Sequence, residues 1–426
     1  MLAQKDEKQP MTQAHHRASF FRQSGWLMIA NIAGGVLMWA VHFLSKSLPP
    51  GHYSIFGASL AVIILLPTIP LQMVLAQQTA KALANHTEHE LSSVIRLFGW
   101  ITFLLWVAGA IVVWLLQDAI LRSWQMTNPI GLWITMGSVL LSLWMPILWG
   151  VLQGQQNFFS LGWAMMSTAI GRITIASLAV LAFKAGAVGM MVGVFFGLLA
   201  AATISAWQTR SLWMARPQRF EWRGLLAQVI PLVLAFLGFQ TLFTVDTLFA
   251  KAYFPDAADA YVMAGTLSRA LMWLVLPLAT VMFPRIVHSA AKSEKTDLMG
   301  LVLLGTAVLG ICGAVGLSVL GPWVVRIVGK GSFVPIASAI LPWYASAMVP
   351  LALANVLLND LLAKPASKLV LAFGVFLLAA GYLFALTQIH GSPTAMLRVM
   401  GCSNLILLAL CAGFSWRART FKPAAA

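Results

Sequence analysis

Three ionisable side chains occur inside apolar stretches that are long enough to cross a lipid bilayer: Arg172, Asp246 and Arg269. An ion at membrane depth costs roughly 2.5–3.5 kcal/mol on insertion scales, so such a residue usually faces a partner or a water-filled cavity. Arginine keeps its charge and can grip phosphate oxygens with two parallel hydrogen bonds, while a carboxylate can take up a proton. The three residues therefore indicate a polar site for an anion, with one carboxylate suited to coupling.

The elements that position these residues are transmembrane helices. Hydrophobic residues make up 60% of the 426 and charged residues 9%, a composition typical of a polytopic membrane protein. Runs of about 20 apolar residues predict an all-α integral membrane protein with about twelve spans. The predicted spans are 22–47, 53–80, 92–117, 129–152, 159–182, 187–212, 223–250, 260–290, 297–320, 335–361, 367–388 and 393–416.

A weak internal repeat relates the two halves of the chain. Lys46, a Pro-Gly turn, Tyr53 and Pro70 in the first half correspond to Lys251, a Pro-Asp turn, Tyr261 and Pro277 in the second. Because six spans separate the copies, both have the same orientation, which predicts two parallel pseudo-symmetric six-helix bundles. The predicted bundles are 22–213 and 223–416, with an interfacial linker at 214–222 and tails at 1–21 and 417–426.

The distribution of lysine and arginine predicts the orientation. With a cytoplasmic N-terminus, 18 of the 27 basic residues fall at cytoplasmic ends of the spans and seven at outer ends, and the other two are Arg172 and Arg269. This bias follows the positive-inside rule and predicts that both termini are cytoplasmic. It also accounts for most of the net charge of +15, so a nucleic-acid partner is not needed to explain the basic composition.

Two motifs resemble those of a transporter family. The run Gly150–Phe159, which ends the fourth span, is similar to the Leu-x-Gly-x-x-x-Phe pattern of polysaccharide and oligosaccharide (Wzx-type) flippases. The elements Val245–Leu248, Ala260-Tyr261 and Val281–Pro284 are similar to a sequence in spans 7 and 8 of the same family. The family belongs to the superfamily of multidrug, oligosaccharidyl-lipid and polysaccharide exporters, and this chain has twelve predicted spans where the lipid II flippases of that superfamily usually have fourteen.

The resemblance implies a flippase that moves a polyprenyl-pyrophosphate-linked oligosaccharide to the outer leaflet by alternating access. Its expected setting is the bacterial inner membrane, with membrane lipids and other polysaccharide assembly proteins as partners. The sugar-pyrophosphate head cannot cross hydrocarbon unaided because its polar groups would lose their hydrogen bonds. We therefore expect Arg172 and Arg269, one in each half, to line a cationic path, and Asp246 to bind substrate or a coupling ion. The further candidate substrate-binding residues are Lys46, Lys251, Gln153 and Gln240.

Each assignment has a structural alternative. Arg172 could hydrogen-bond backbone carbonyls or Gln153, and Arg269 could form a structural ion pair with Asp246. Lys46 and Lys251 could extend to the membrane interface, and Gln240 could make a helix–helix contact. The chain carries no pattern that predicts a catalytic residue, a metal site or a cofactor.

Two other functions remain open for the sequence. A multidrug or cation antiporter of the same superfamily is expected to present acidic groups to its substrate, whereas this chain buries two arginines and one aspartate. A membrane glycan ligase or polymerase is expected to carry a large outer loop with acid and base residues, and every predicted connection is shorter than about 20 residues.

Overall fold

The computed structural model describes residues 9–272, 298–363 and 368–420. These residues form helices joined by short turns, and no strand occurs among them. The prediction of an all-α membrane protein is therefore confirmed. Fifteen α-helices are numbered here in chain order: α1 Gln9–Ala40, α2 His52–Ile64, α3 Thr68–Ala84, α4 Glu88–Leu115, α5 Gln117–Ser123, α6 Ile130–Gly154, α7 Phe158–Ser177, α8 Gly186–Trp213, α9 Trp222–Thr244, α10 Asp246–Tyr253, α11 over residues 258–272, α12 Leu298–Val328, α13 Val334–Ala363, α14 Lys368–Gln388 and α15 Pro393–Thr420.

Eleven helical segments within the described residues are long and apolar enough to span a membrane, and their starts agree with the prediction to within four residues. The remaining predicted span, 260–290, is helical over 258–272. The rest of that span, together with Val281–Pro284, lies outside the described residues. Residues 1–8 and 421–426 of the two predicted tails lie outside them as well.

Helix α1 begins earlier than the predicted first span. It starts at Gln9 and includes most of the segment predicted as a polar tail, while the apolar span within it begins at Gly25. The segment therefore continues the helix without being apolar enough to lengthen the span.

Several spans are interrupted in their course. The first passes from α1 into a 3-10 segment, Val41–Ser47. The second is divided into α2 and α3 around Pro67, whose ring disfavours helical backbone in the residue before it. The seventh is divided into α9 and α10 at Val245.

The chain forms two compact units. Unit 1 comprises residues up to Leu44, Thr68–Leu115 and Ile130–Arg223, and unit 2 comprises Ser45–Pro67, Leu116–Pro129 and the chain from Gly224 onward. The division between the long segments falls after Arg223. Unlike the predicted bundles, unit 2 also contains residues 45–67 and 116–129 from the first half of the chain.

Glycines set the helix spacing in unit 1. A Cβ on Gly197 of α8 would lie 2.4 Å from the Thr168 carbonyl oxygen of α7, and one on Gly193 would lie 2.6 Å from the Arg172 carbonyl oxygen. Small residues allow such close backbone approach between membrane helices. The same arrangement joins α3 and α6, where a Cβ on Gly150 would lie 2.6 Å from the Gln72 carbonyl oxygen.

Candidate functional site

The buried charges of unit 2 form one hydrogen-bonded network, which we call the Asp246 network. Asp246 is the first residue of α10 and is 0% exposed. Arg269 of α11 donates from one terminal nitrogen to Asp246 Oδ1 over 2.7 Å, and its side chain is 12% exposed. The other carboxylate oxygen accepts hydrogen bonds from the hydroxyls of Tyr261, at 3.0 Å, and Tyr344. Both oxygens of this carboxylate therefore have donors.

The break between α9 and α10 helps to hold the arginine. Arg269 Nε donates to the carbonyl oxygen of Phe243 over 2.9 Å, one of the last carbonyls of α9, which lack partners within their own helix. The nitrogen that meets Asp246 also donates to Thr247 Oγ1 over 2.7 Å. The guanidinium additionally lies over the rings of Phe243 and Tyr344, at 5.7 and 5.5 Å from their centroids. Five contacts thus fix its plane.

Gly265 leaves the space that the ion pair occupies. A Cβ at this position of α11 would lie 2.9 Å from the Tyr344 hydroxyl oxygen and 3.2 Å from an Arg269 terminal nitrogen. Since Gly265 and Arg269 are four residues apart, they share one face of α11. The absence of a side chain at Gly265 therefore lets Tyr344 reach Asp246.

Arg172 occupies a separate place in unit 1. It lies on α7 and is 6% exposed. Its positive charge acts on the imidazole of His42, which lies in the 3-10 segment. Gly193 and Gly197 bring α8 against the Arg172 backbone. The prediction that Arg172 and Arg269 line one cavity stays a prediction, because the two residues belong to different units.

Gln153 and Gln240 lie on helices, in different surroundings. Gln153 is exposed near the end of α6 and accepts a hydrogen bond from Gln72 Nε2 over 3.2 Å. Its neighbours Gly150 and Gly154 pack against α3, so these glycines of the Gly150–Phe159 motif serve helix packing. Gln240 is half-buried on α9, six residues before Asp246.

The two predicted lysine sites differ strongly in burial. Lys46 is exposed, whereas Lys251, at the end of α10, is 0% exposed. Lys251 Nζ lies 3.4 Å from the carbonyl oxygen of Gly51, and Lys330 Nζ donates to the carbonyl oxygen of Leu48. Both contacts end on the turn that precedes α2.

Asp259 completes this cluster. Its Oδ2 accepts the Gly51 N–H over 2.8 Å and its Oδ1 accepts the Ser54 N–H over 2.7 Å. Gly51 is the residue before α2 and has a φ of 79°, a backbone conformation that favours glycine. A carboxylate from a distant part of the chain thus caps the start of α2. We call Asp259, Lys251, Lys330 and the turn 48–54 the α2 clasp; all of it lies in unit 2.

A model of the lipid II flippase MurJ family matches residues 29–421 of this chain. The chain belongs to the MurJ family. The match covers most of the sequence, so this MurJ-family chain is a multi-pass membrane transporter and not an enzyme. No curated protein matches the sequence.

Solved structures support the fold of the MurJ family. A lipid II flippase MurJ in an inward closed conformation is 16% identical, with a TM-score of 0.68 over 93% of this chain and 87% of that one. A multidrug resistance MATE family transporter in an inward-facing conformation is 12% identical, with a TM-score of 0.58 over 92% and 94% of the two chains. A MATE in the straight conformation is 14% identical, with a TM-score of 0.59 over 94% and 95%. The likeness extends over nearly the whole length of each.

Sequence reasoning did not identify Tyr344 of the Asp246 network or Asp259 of the α2 clasp. Tyrosine is rare here, with five in the chain, and four of the five are at most 1% exposed. A buried tyrosine hydroxyl usually needs a hydrogen-bond partner. The presence of one of these few tyrosines inside the predicted span 335–361 could therefore have indicated that Tyr344 takes part in a polar contact. Asp259 gave a weaker signal because it follows a Pro-Asp turn and looks like a loop residue.

Proposed function

We propose that this chain flips a polyprenyl-pyrophosphate-linked glycan from the cytoplasmic to the outer leaflet of the bacterial inner membrane. The observation that carries the proposal is a buried arginine in each unit of a MurJ-family fold. A pyrophosphate needs cationic partners in a low-dielectric path, and arginine provides them without a change of protonation. The name of the matching family refers to lipid II. A narrower form of our proposal is that the glycan is a precursor of a surface polysaccharide and that the chain works together with other polysaccharide assembly proteins.

In this proposal the Asp246 network acts as a switch. Arg269 is neutralised by Asp246 before substrate arrives, and a pyrophosphate would compete with the carboxylate for the guanidinium. Displacement of Asp246 from Arg269 would leave the carboxylate without its cationic partner and open to a coupling ion. Substrate binding would then be coupled to proton uptake, which is the role expected for Asp246.

Alternating access also requires a part of the protein that opens. We infer that the α2 clasp is one such part, since it holds residues 48–54 within unit 2 while the helical segments on either side, 9–44 and 68–115, belong to unit 1. Release of the Asp259 contacts would free residues 48–54 from the rest of unit 2.

The test is a flipping assay in proteoliposomes with a fluorescent polyprenyl-pyrophosphate glycan and an impermeant quencher. In vesicles with wild-type protein, label from both leaflets should become accessible to the quencher. Arg172→Gln combined with Arg269→Gln should slow this quenching at least tenfold when equal amounts of protein are reconstituted. Arg122→Gln combined with Arg326→Gln is the matched control, because both arginines are exposed, and it should flip normally. Asp246→Asn should flatten the pH dependence of the rate.

The second candidate function is a multidrug or cation antiporter, favoured by the likeness to MATE transporters. It predicts proton-driven exchange of small cations by the same proteoliposomes. The pairing of Asp246 with Arg269 speaks against it, because this carboxylate offers no net negative charge to a cation. Exchange of cationic drugs without glycan flipping would replace the flippase proposal with this one.

A further inference from the structure

The segment that joins α8 to α9 carries an exposed group of arginines and tryptophans. Arg210, Arg216, Arg219 and Arg223 are all exposed, as are Trp207 and Trp222. We call these six side chains the basic linker surface. Between residues 207 and 223 the sequence contains four arginines and one acid, Glu221. The surface is therefore strongly cationic and partly aromatic.

This segment has a fixed conformation on unit 1. Arg96 of α4 donates from two nitrogens to the carbonyl oxygens of Trp213 and Ala215, over 3.1 and 3.0 Å. Ser92 Oγ donates to the Ala215 carbonyl over 2.9 Å, and Ser93 Oγ donates to the Gln218 carbonyl over 2.6 Å. The contacts use the backbone of the segment, which leaves the arginine side chains at 216 and 219 directed to the surroundings.

Its position places it at a membrane surface. The segment lies between two helices that can span a membrane, Gly186–Trp213 and Trp222–Tyr253, so it lies where the chain leaves the bilayer and returns. Arg210 and Arg223 each lie near a tryptophan ring, with guanidinium carbons 4.2 Å from the Trp207 centroid and 5.7 Å from the Trp222 centroid. Tryptophan at the headgroup level is typical of membrane interfaces.

We propose that the basic linker surface binds the phosphate groups of anionic membrane phospholipids. The charge complementarity is direct, because juxtamembrane arginines are attracted to anionic headgroups and can hold phosphate oxygens in bidentate pairs. The tryptophans supply apolar contact with the upper acyl chains while their ring nitrogens stay at headgroup level. The rigid attachment to α4 keeps the arginines in place, so little conformational entropy is lost on binding.

Native mass spectrometry of the purified full chain in a neutral detergent tests this proposal. The protein is titrated separately with phosphatidylglycerol and with phosphatidylcholine, and bound lipids are counted. Wild type should retain phosphatidylglycerol more tightly. Each arginine-to-glutamine change at 216, 219 or 223 should weaken that retention about fivefold, and the triple variant at least tenfold. The hydrogen bonds from α4 end on backbone carbonyls of the segment, so the variants should keep the wild-type elution volume and helical circular dichroism. If the triple variant does not fold, the single variant Arg219→Gln is used for the comparison.

A charge-matched control separates a local site from net charge. Arg122→Gln, Arg326→Gln and Arg398→Gln remove three exposed arginines of unit 2 and should leave retention by the basic linker surface unchanged. Equal loss in the control triple, or equal binding of the two lipids by wild type, would overturn the proposal. Binding of inorganic pyrophosphate by the lipid-free protein, with no phosphatidylglycerol retained, would overturn it in favour of a free-phosphate site.

Discussion

The cost of burying Asp246 and Arg269 is offset by the hydrogen bonds that surround the pair. The carboxylate accepts from a guanidinium and two tyrosine hydroxyls, and the guanidinium also donates to Phe243 and Thr247. A buried ion pair gains stability only when its remaining lone pairs and protons have partners. The neighbours thus explain why the chain tolerates both charges at this depth, and they indicate that either charge alone would be strongly unfavourable.

Removing one partner of the pair should therefore destabilise the protein more than removing both. We expect Arg269→Gln or Asp246→Asn to lower the free energy of unfolding by about 3–5 kcal/mol, and the double variant to lose less than either single variant. The measurement is a double-mutant cycle on thermal unfolding in detergent. Asp256→Asn with Arg326→Gln, both exposed, is the control cycle and should show independent, small effects. Additive losses for the buried pair would mean that the two charges are not coupled.

Three helix interruptions coincide with places where the chain passes from one unit to the other. The 3-10 segment Val41–Ser47 contains the passage at residue 44, the gap between α2 and α3 contains the one at residue 67, and the step from α4 to α5 at Leu116 contains a third. An interrupted helix lacks part of its hydrogen-bond ladder and bends there at lower cost. These three breaks are consequently the expected hinges of the first and second spans and of the α4–α5 connection.

The α2 clasp should depend on the negative charge of Asp259. An amide has one acceptor oxygen and no charge, so Asp259→Asn should leave the Gly51 or Ser54 N–H without its acceptor and weaken the cap of α2. Loss of a cap costs about 0.5–2 kcal/mol, which corresponds to faster exchange of the amide hydrogens in residues 49–56 by roughly two- to thirtyfold. Hydrogen–deuterium exchange with mass spectrometry measures this. Asp256→Asn, an exposed change three residues earlier, should leave that exchange unaltered, and equal protection in both variants would argue against the clasp.

On the scale of the whole molecule, the sequence predicted what depends on local pattern and missed what depends on distant contacts. Spans could be located because each needs about 20 consecutive apolar residues. The pairing of Arg269 with Asp246 could be anticipated from their buried charges. By contrast, Tyr344 is 98 residues from Asp246, and Asp259 is 205 residues from Ser54. No periodicity within a helix reports such contacts, and the assignment of residues 45–67 to unit 2 depends on them.

The distribution of basic residues predicts an orientation of the molecule in the membrane, and this prediction is open to a direct test. In the predicted topology 18 of the 27 basic residues lie at the cytoplasmic side, so the α8–α9 connection should be cytoplasmic and the α5–α6 connection outside. In a variant whose three cysteines are replaced, a cysteine introduced at exposed Thr127 should react with an impermeant maleimide on intact cells, and one at exposed Gln218 should react only after permeabilisation. The reverse labelling would invert the topology. It would then place the α2 clasp at the cytoplasmic face and the basic linker surface at the outer leaflet, and flipping to the outer leaflet would have to begin from the clasped end.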